Sequence, residues 1–399
     1  MGLNELASGE RIHIAFFGMR NAGKSSVVNA LTGLDLSVVS EVKGTTTDPV
    51  KRSMELLPLG PVVIIDTPGL DDEGELGLKR VEKTKQIVAQ TDIAVLVVDA
   101  TIGLSDFDKD LLSSFEARKL PCVIAYNKTD LLPEIPAIAV NGTTPAVYVS
   151  SKTLSGINSL KEALGSFAGA LKKEKYLVAD LVKPKSTVIL VIPIDESAPK
   201  GRIIMPQQIA IRDLLDSHCV SICCQVDELK TVLENLKEPP SLVVTDSQAF
   251  KRVSEIVPED LPLTSFSILM ARYKGEFQSL MAGASALKNL KNGDKVLIAE
   301  GCVHHRQCND IGSKKIPGWL ENYSGAKPEY VFTSGNDFPS DLVGYKLIIH
   351  CGGCMLNETE MKHRIARANE SGVPIVNYGM AIAQFNGILA RSLKALSNF

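Results

Sequence analysis

The sequence predicts an α/β fold in three successive units, and three observations predict it. Short β-branched apolar runs alternate with helical patterns along most of the 399 residues, the signature of parallel sheets covered on both faces. A glycine-rich run, Gly18-Met19-Arg20-Asn21-Ala22-Gly23-Lys24-Ser25, stands between one such apolar run and a helical pattern. The apolar runs then resume twice, after a Lys-rich stretch at 172–175 and after residue 263.

In the first unit, residues 1–175, strands are expected over 12–17, 62–65, 93–98, 122–126 and 146–149. Helices are expected over 21–31, 78–90 and 157–171. The middle unit, residues 176–263, is punctuated by Pro193, Pro199, Pro206, Pro239 and Pro240. It offers strands at 187–192 and 242–245 and a helix over 206–217. The last unit, residues 264–399, offers strands at 296–299, 330–333, 346–349 and 374–377. No repeat of fixed period is present.

Composition narrows the function classes. Apolar residues make up 45% and charged residues 22%, enough for sizeable cores. The formal net charge is −3 and no long basic run is present, which argues against nucleic acid as the main partner. No apolar stretch approaches the ~20 residues of a membrane span. The opening MGLNELASGERIH lacks a signal-peptide core, and Leu6 breaks the myristoylation pattern. A cytoplasmic protein is expected. In that reducing compartment the eight cysteines read as metal ligands or core residues before disulfides.

The glycine-rich run matches G-x-x-x-x-G-K-[ST]. Its glycines let amide groups approach phosphates at a helix N-terminus, where the helix dipole favours negative charge. Gly18, Asn21, Ala22, Gly23, Lys24, Ser25 and Ser26 are the expected phosphate-loop contacts. Lys24 would reach the β and γ phosphates and Ser25 would ligate Mg²⁺. Asp66-Thr67-Pro68-Gly69 follows the next apolar run. There Asp66 would bind Mg²⁺ through water and the Gly69 amide would sense the γ-phosphate.

Asn127-Lys128-Thr129-Asp130 follows the 122–126 run. Its Asp130 can accept both N1–H and the exocyclic amino group of guanine, which favours GTP and GDP over adenine nucleotides. Ser150-Ser151-Lys152 would close over the base. Gly44-Thr45-Thr46-Thr47-Asp48 lies where a first switch belongs, and Thr46 is the expected Mg²⁺ ligand there, with Thr45 or a plain polar turn as alternatives. With this ordered set, the first ~170 residues resemble the TrmE/Era/Der group of GTPases.

Leu70 stands where Ras-like proteins place a water-orienting Gln, so intrinsic hydrolysis should be slow. Among Asp71, Asp72, Glu73 and Glu75 nothing selects a substitute. Asn21 occupies the position that helps hold K⁺ in the potassium-activated members of the group; such a cation would neutralise charge on the transferring phosphate. A turn-capping Asn is the alternative.

The second constellation is Cys302-Val303-His304-His305 with His350-Cys351-Gly352-Gly353-Cys354. Both runs sit just past expected strands, at the sheet edge where α/β sites form. The C-x-x-C spacing brings two sulfurs to one centre. Three thiolates suit an iron–sulfur cluster, and two or three Cys with His equally suit structural zinc. A chain with this pattern behind a TrmE/Era-like domain resembles the [FeFe]-hydrogenase maturation GTPases, the HydF family, over essentially its whole length.

That resemblance implies a GTPase domain, a small α/β self-association domain and a C-terminal α/β iron–sulfur domain. It implies a [4Fe-4S] cluster on Cys302, Cys351 and Cys354, with His304, His305 and His350 as candidates for the fourth iron position or for hydrogen bonds to the cluster. It also implies a scaffold or carrier, at least dimeric, that takes a diiron precursor made with two radical-SAM maturases and delivers it to apo-hydrogenase. The alternative is a ribosome- or RNA-associated GTPase with a structural zinc domain. Cys122, Cys219, Cys223 and Cys224 are expected to be packing residues.

Overall fold

A computed structural model describes residues 8–33, 49–67, 83–136, 144–171, 174–194, 201–302, 310–335 and 337–396. The chain divides into two compact units, Met1–Lys173 and Glu174–Phe399.

The first unit is built on β1 (Ile12–Phe17), β2 (Val50–Leu56), β3 (Gly60–Asp66), β4 (Ile93–Asp99), β5 (Cys122–Asn127) and β6 (Ala146–Tyr148). They form one sheet in the order β2-β3-β1-β4-β5-β6. All neighbours are parallel except the β2–β3 pair, which is antiparallel. The helices are α1 (Lys24–Thr32), α2 (83–89), α3 (Asp106–Ala117), α4 (Ile157–Gly165) and α5 (Ala168–Leu171).

Strand periodicity sorts side chains to two faces. Ile14 and Phe16 join Val95 and Val97 in a core roofed by Val27 and Leu31 of α1 and Leu160 and Leu164 of α4. Ala15 and Phe17 join Leu96 and Val98 in a second core under Ile87 of α2 and Phe115 of α3. This two-sided burial explains why β4 and β5 read as unbroken apolar runs and why β1 is interrupted only by the buried His13.

Two elements of this unit were not legible. The strand β2, VKRSMEL, is half-exposed at the sheet edge, so it carries no apolar run. The helix α3 is rich in charge, yet it is well specified by a capping box. The Ser105 hydroxyl accepts from the Asp108 amide at 3.1 Å, and the Ser105 amide donates to Asp108 Oδ2 at 3.0 Å. The helix expected from residue 21 starts at Lys24, because Asn21 (φ 63°) and Gly23 (φ 90°) are left-handed. The single helix expected over 157–171 is divided into α4 and α5 by a turn at 166–167.

The second unit holds two sheets. The first comprises β7 (Thr187–Val191), β8 (Val220–Cys224), β9 (Leu242–Thr245) and β10 (Leu263–Ser265), ordered β10-β9-β7-β8 and all parallel. Helices α6 (Met205–Asp216), α7 (Leu229–Asn235) and α8 (Phe250–Ile256) alternate with these strands. The second comprises β11 (Lys295–Glu300), β12 (Glu329–Ser334), β13 (Tyr345–His350) and β14 (Ile375–Asn377), ordered β12-β11-β13-β14 and also parallel. With it run α9 (Phe266–Lys274), α10 (Phe277–Ala284), α11 (Ile316–Ser324), α12 (Glu358–Glu370), α13 (Tyr378–Phe385) and α14 (Leu389–Lys394).

One continuous apolar core runs through both sheets, from Leu177 to Leu396. The boundary expected at 263/264 falls inside β10, a three-residue strand, Leu-Thr-Ser, too short to register as an apolar run. Ser265 ends that strand and at once caps α9, accepting from the Ile268 amide at 3.3 Å, so no linker separates the sheets here. The helix α10 lies against β14 so closely that a Cβ on Gly283 would stand 2.0 Å from the Ile375 carbonyl oxygen.

Alanine is ordinarily about 1 kcal/mol better than glycine inside a helix. At Gly283 the clash is with backbone, and overpacking of this kind costs about 1–3 kcal/mol. Gly283→Ala should therefore lower the thermal midpoint of the protein in a calorimetric scan; a midpoint raised by the substitution would show that α10 stands farther off.

Candidate functional site: a nucleotide pocket and a cysteine edge

The nucleotide motifs converge at the C-terminal edge of the first sheet. The loop after β1 approaches β4 so tightly that a Cβ on Gly18 would lie 2.2 Å from the Val97 carbonyl oxygen. Lys24 is buried, and its ammonium donates to the carbonyls of Gly18 at 3.0 Å and Met19 at 2.9 Å. Ser25 and Ser26 are exposed at the start of α1, and the Ser25 hydroxyl donates to Asp66 Oδ2 at 2.5 Å. Burial pushes the Asp66 carboxyl up from its ordinary range, against the pull of Ser25 and Lys24. Its other oxygen, Oδ1, is buried and accepts no hydrogen bond from the described protein.

Asn127 ties this loop to the base-side loops. Its amide nitrogen donates to the Ala22 carbonyl at 3.0 Å, and its amide oxygen accepts from the Ser151 backbone at 3.0 Å. The same side chain lies where a Cβ on Gly23 would fall, 2.3 Å from its nitrogen. Lys128 takes a left-handed backbone, φ 69°, and donates to Asp99 Oδ2 at 2.6 Å. Burial raises the Asp99 carboxyl, and the bonds from Lys128 and Thr101 more than reverse this, leaving it below its usual value. Asp130 accepts from the buried Ser150 hydroxyl at 2.7 Å, and Lys152 stands 4.0 Å from its other oxygen. Thr45, Thr46, Pro68, Gly69, Leu70 and the acidic residues after it lie outside the described residues.

The cysteine runs meet at the C-terminal edge of the last sheet. The pairing of β11 with β13 sets Ala299 opposite His350, and the Cys351 amide donates to the Ala299 carbonyl at 2.9 Å. Cys302 follows two residues after β11, and Cys351 one residue after β13. Two amides point at the Cys351 sulfur, Gly301 at 3.0 Å and Gly353 at 3.4 Å; Gly353 needs its left-handed φ of 63° to do so.

Burial is the main cause that pushes the Cys302 thiol up to about 12, with Cys351, Cys354, Glu300 and Asp310 adding to it. Burial likewise raises Cys351 to about 11, with Cys354 adding and the Gly301 and Gly353 amides opposing. Among the described residues no three Cys, His, Asp or Glu side chains converge on a position for one metal ion. His304, His305 and Cys308 lie outside the described residues.

His350 is fully buried, with both ring nitrogens engaged. Nδ1 bonds the Cys351 carbonyl at 2.8 Å and Nε2 faces Arg364 Nη1 at 3.1 Å. Burial, then the Arg364 charge, depresses its pKa to about 3. A neutral ring donating from Nδ1 and accepting at Nε2 satisfies both contacts. Arg364 also donates to the Gly335 carbonyl at 2.6 Å, pairs with Glu360, and stacks over Phe338. Asp99, Glu360 and Arg364 had no motif to mark them in the sequence.

Of the other cysteines, Cys122 and Cys219 are buried, Cys224 is half-buried and Cys223 is exposed on the edge strand β8. Cys223 therefore departs from the expected packing role. Among the described residues no disulfide joins any two of the seven cysteines.

The phosphate loop, the Asp66 strand end and the Asn127–Asp130 turn, on a mainly parallel sheet, define the first unit as a P-loop GTPase domain. Residues 13–128 match the family described as 50S ribosome-binding GTPase. Residues 177–275 match the hydrogen maturase F dimerization domain, and residues 278–395 its tetramerization domain. The chain belongs to the hydrogen maturase F family. The first unit is 33% identical over 161 residues to the tRNA modification GTPase MnmE of Nitrosomonas europaea, covering 40% of this chain and 35% of that protein. It is 37% identical over 170 residues to GTPase Der of Kosmotoga olearia, covering 39% and 38% respectively. The chain thus spans about a third of the length of these relatives.

Removing one buried hydrogen-bonding side chain and orphaning its partners costs about 1–3 kcal/mol. Asn127→Ala should therefore weaken GDP binding roughly ten- to a hundred-fold in a fluorescent-nucleotide titration. Wild-type affinity in that variant would show that the phosphate loop holds its shape without this tie.

Proposed function

We propose that this protein hydrolyses GTP and serves hydrogenase maturation as a scaffold that carries a [4Fe-4S] cluster and a diiron precursor. The single observation behind the cluster is the β11–β13 register, which lays Cys302 and Cys351 at one sheet edge, with Cys354 three residues past Cys351 on the same loop. The donor chemistry fits such a group: three thiols, with two amide donors already aimed at one sulfur. In a cubane each thiolate binds a different iron, so the sulfurs need not converge as they would around one zinc ion. Raised thiol pKa values mean that loading iron must release protons.

Cys302, Cys351 and Cys354 would hold the cluster, which supplies an iron position open to an incoming ligand. With both ring nitrogens occupied, His350 is better placed to orient the Cys351 carbonyl than to bind iron; His304 and His305 stay candidates for the fourth position. The precursor would arrive with the help of two radical-SAM maturases and leave to apo-[FeFe]-hydrogenase, in a cytoplasmic homodimer or larger homo-oligomer.

At the nucleotide end, Lys24 would exchange its loop carbonyls for the β and γ phosphates, and Ser25 with Thr46 would hold Mg²⁺. Asp66 fits the second rank around that ion: its buried Oδ1 has no partner among the described residues, and a dication would offset the burial that raises it. Gly69 senses the γ-phosphate, Asp130 reads guanine, and Ser150, Ser151 and Lys152 close the base pocket. Asn21, exposed on its left-handed turn, is free to help hold K⁺ beside the phosphates. Loss of the γ-phosphate would then remove the contact proposed for Thr46 and Gly69.

Lys24→Ala should abolish GTP hydrolysis while anaerobically reconstituted protein keeps its brown iron–sulfur absorption. Cys302→Ser, Cys351→Ser and Cys354→Ser should each lower iron per chain and leave phosphate release intact. A colourless wild type with one zinc, or a variant with full iron, would count against the ligand set. Replacing K⁺ by Na⁺ should slow phosphate release several-fold; equal rates would remove the role given to Asn21.

A further inference from the structure

The helix α9 ends directly beneath the cysteine loop. Its last residue, Lys274, is 3% exposed. The ammonium donates to the carbonyl oxygens of Leu356 at 2.7 Å and Cys354 at 3.2 Å. A buried ammonium is expensive to place and is kept where fixed dipoles or negative charge surround it. Two of the dipoles that surround it belong to the end of the C-x-x-C run, at Cys354, and to Leu356 two residues beyond.

The hold extends beyond one cysteine. Leu356, fixed through its carbonyl, packs against Gly301, where a Cβ would stand 2.7 Å from the leucine Cγ. Gly301 in turn donates its amide to the Cys351 sulfur and immediately precedes Cys302. Lys274 therefore anchors Cys354 directly and reaches Cys351 and Cys302 through Leu356 and Gly301.

Charge gives the same residue a second consequence. Reduction of an iron–sulfur cluster adds one negative charge, and nearby charge and burial are among the factors that set its potential. A cation fixed in a low-dielectric setting stabilises the reduced form more than one at the surface. We propose, resting on the cluster reading above, that Lys274 is a positioning residue for all three thiolates and holds the cluster's reduction potential up.

Lys274→Gln keeps a donor near the two carbonyls and removes the charge; Lys274→Arg keeps the charge; Lys274→Met removes both. The readouts are iron per chain and the midpoint potential, from dithionite titration of the anaerobically reconstituted full-length protein followed by EPR. The Gln variant should retain wild-type iron with a more negative potential, the Arg variant should stay nearer wild type, and the Met variant should also lose iron. A merely structural lysine would leave the potential of the iron-loaded Gln variant unchanged, and that result overturns the proposal. If Met fails to fold, the Gln and Arg pair decides. A wild type that takes up no iron overturns the cluster reading itself, whereas an iron-loaded wild type with unshifted variants removes Lys274 alone.

Discussion

The parallel pairing of β11 with β13 is the interaction on which the rest of the second unit depends. Parallel neighbours deliver both chain exits to the same edge, so two cysteine runs far apart in sequence arrive side by side. A one-residue slip would turn every side chain of a strand to the opposite face. The pair is guarded against that slip by burial, since Leu297, Ile298, Ile348 and Ile349 are all fully covered. The Cys351 amide then extends the ladder by one more bond, to Ala299. The thiols are thus placed by backbone pairing in the core, and only afterwards by the glycines that turn amides toward sulfur.

The first unit solves the equivalent problem with one side chain. Asn127 lies at the end of β5, and it spans from the phosphate loop at Ala22 to the base loop at Ser151. A short amide does this because Gly23 has no Cβ in the way. The pocket is therefore shaped by strand ends, in keeping with the rule that open α/β sheets bind ligands beyond the carboxyl ends of their strands.

Legibility followed burial. Strands covered on both faces, such as β1, β4, β9 and β13, announce themselves as apolar runs. The half-exposed β2, the charged α3 and the three-residue β10 do not, because their stability comes from edge pairing, a capping box and a shared core. At the sites, residues tied to phosphate, guanine or sulfur chemistry fell in motifs with fixed spacing. Their supports did not: Asp99 holds Lys128, and Arg364, itself paired with Glu360, holds His350, each brought in by tertiary packing from another element. No local pattern of residue types records such a contact.

The helix α9 has a practical meaning for anyone wishing to take the molecule apart. It begins on the last strand of one sheet and finishes under the cysteine loop of the other, while Arg272 pairs back to Asp180 and Lys175 reaches both the Tyr273 carbonyl and Glu358. A cut in this helix, or just ahead of it, would expose a shared interior on both fragments. The natural place to divide the gene for expression is therefore near residue 174, ahead of both sheets, leaving the sulfur-bearing end together with its neighbour as one piece.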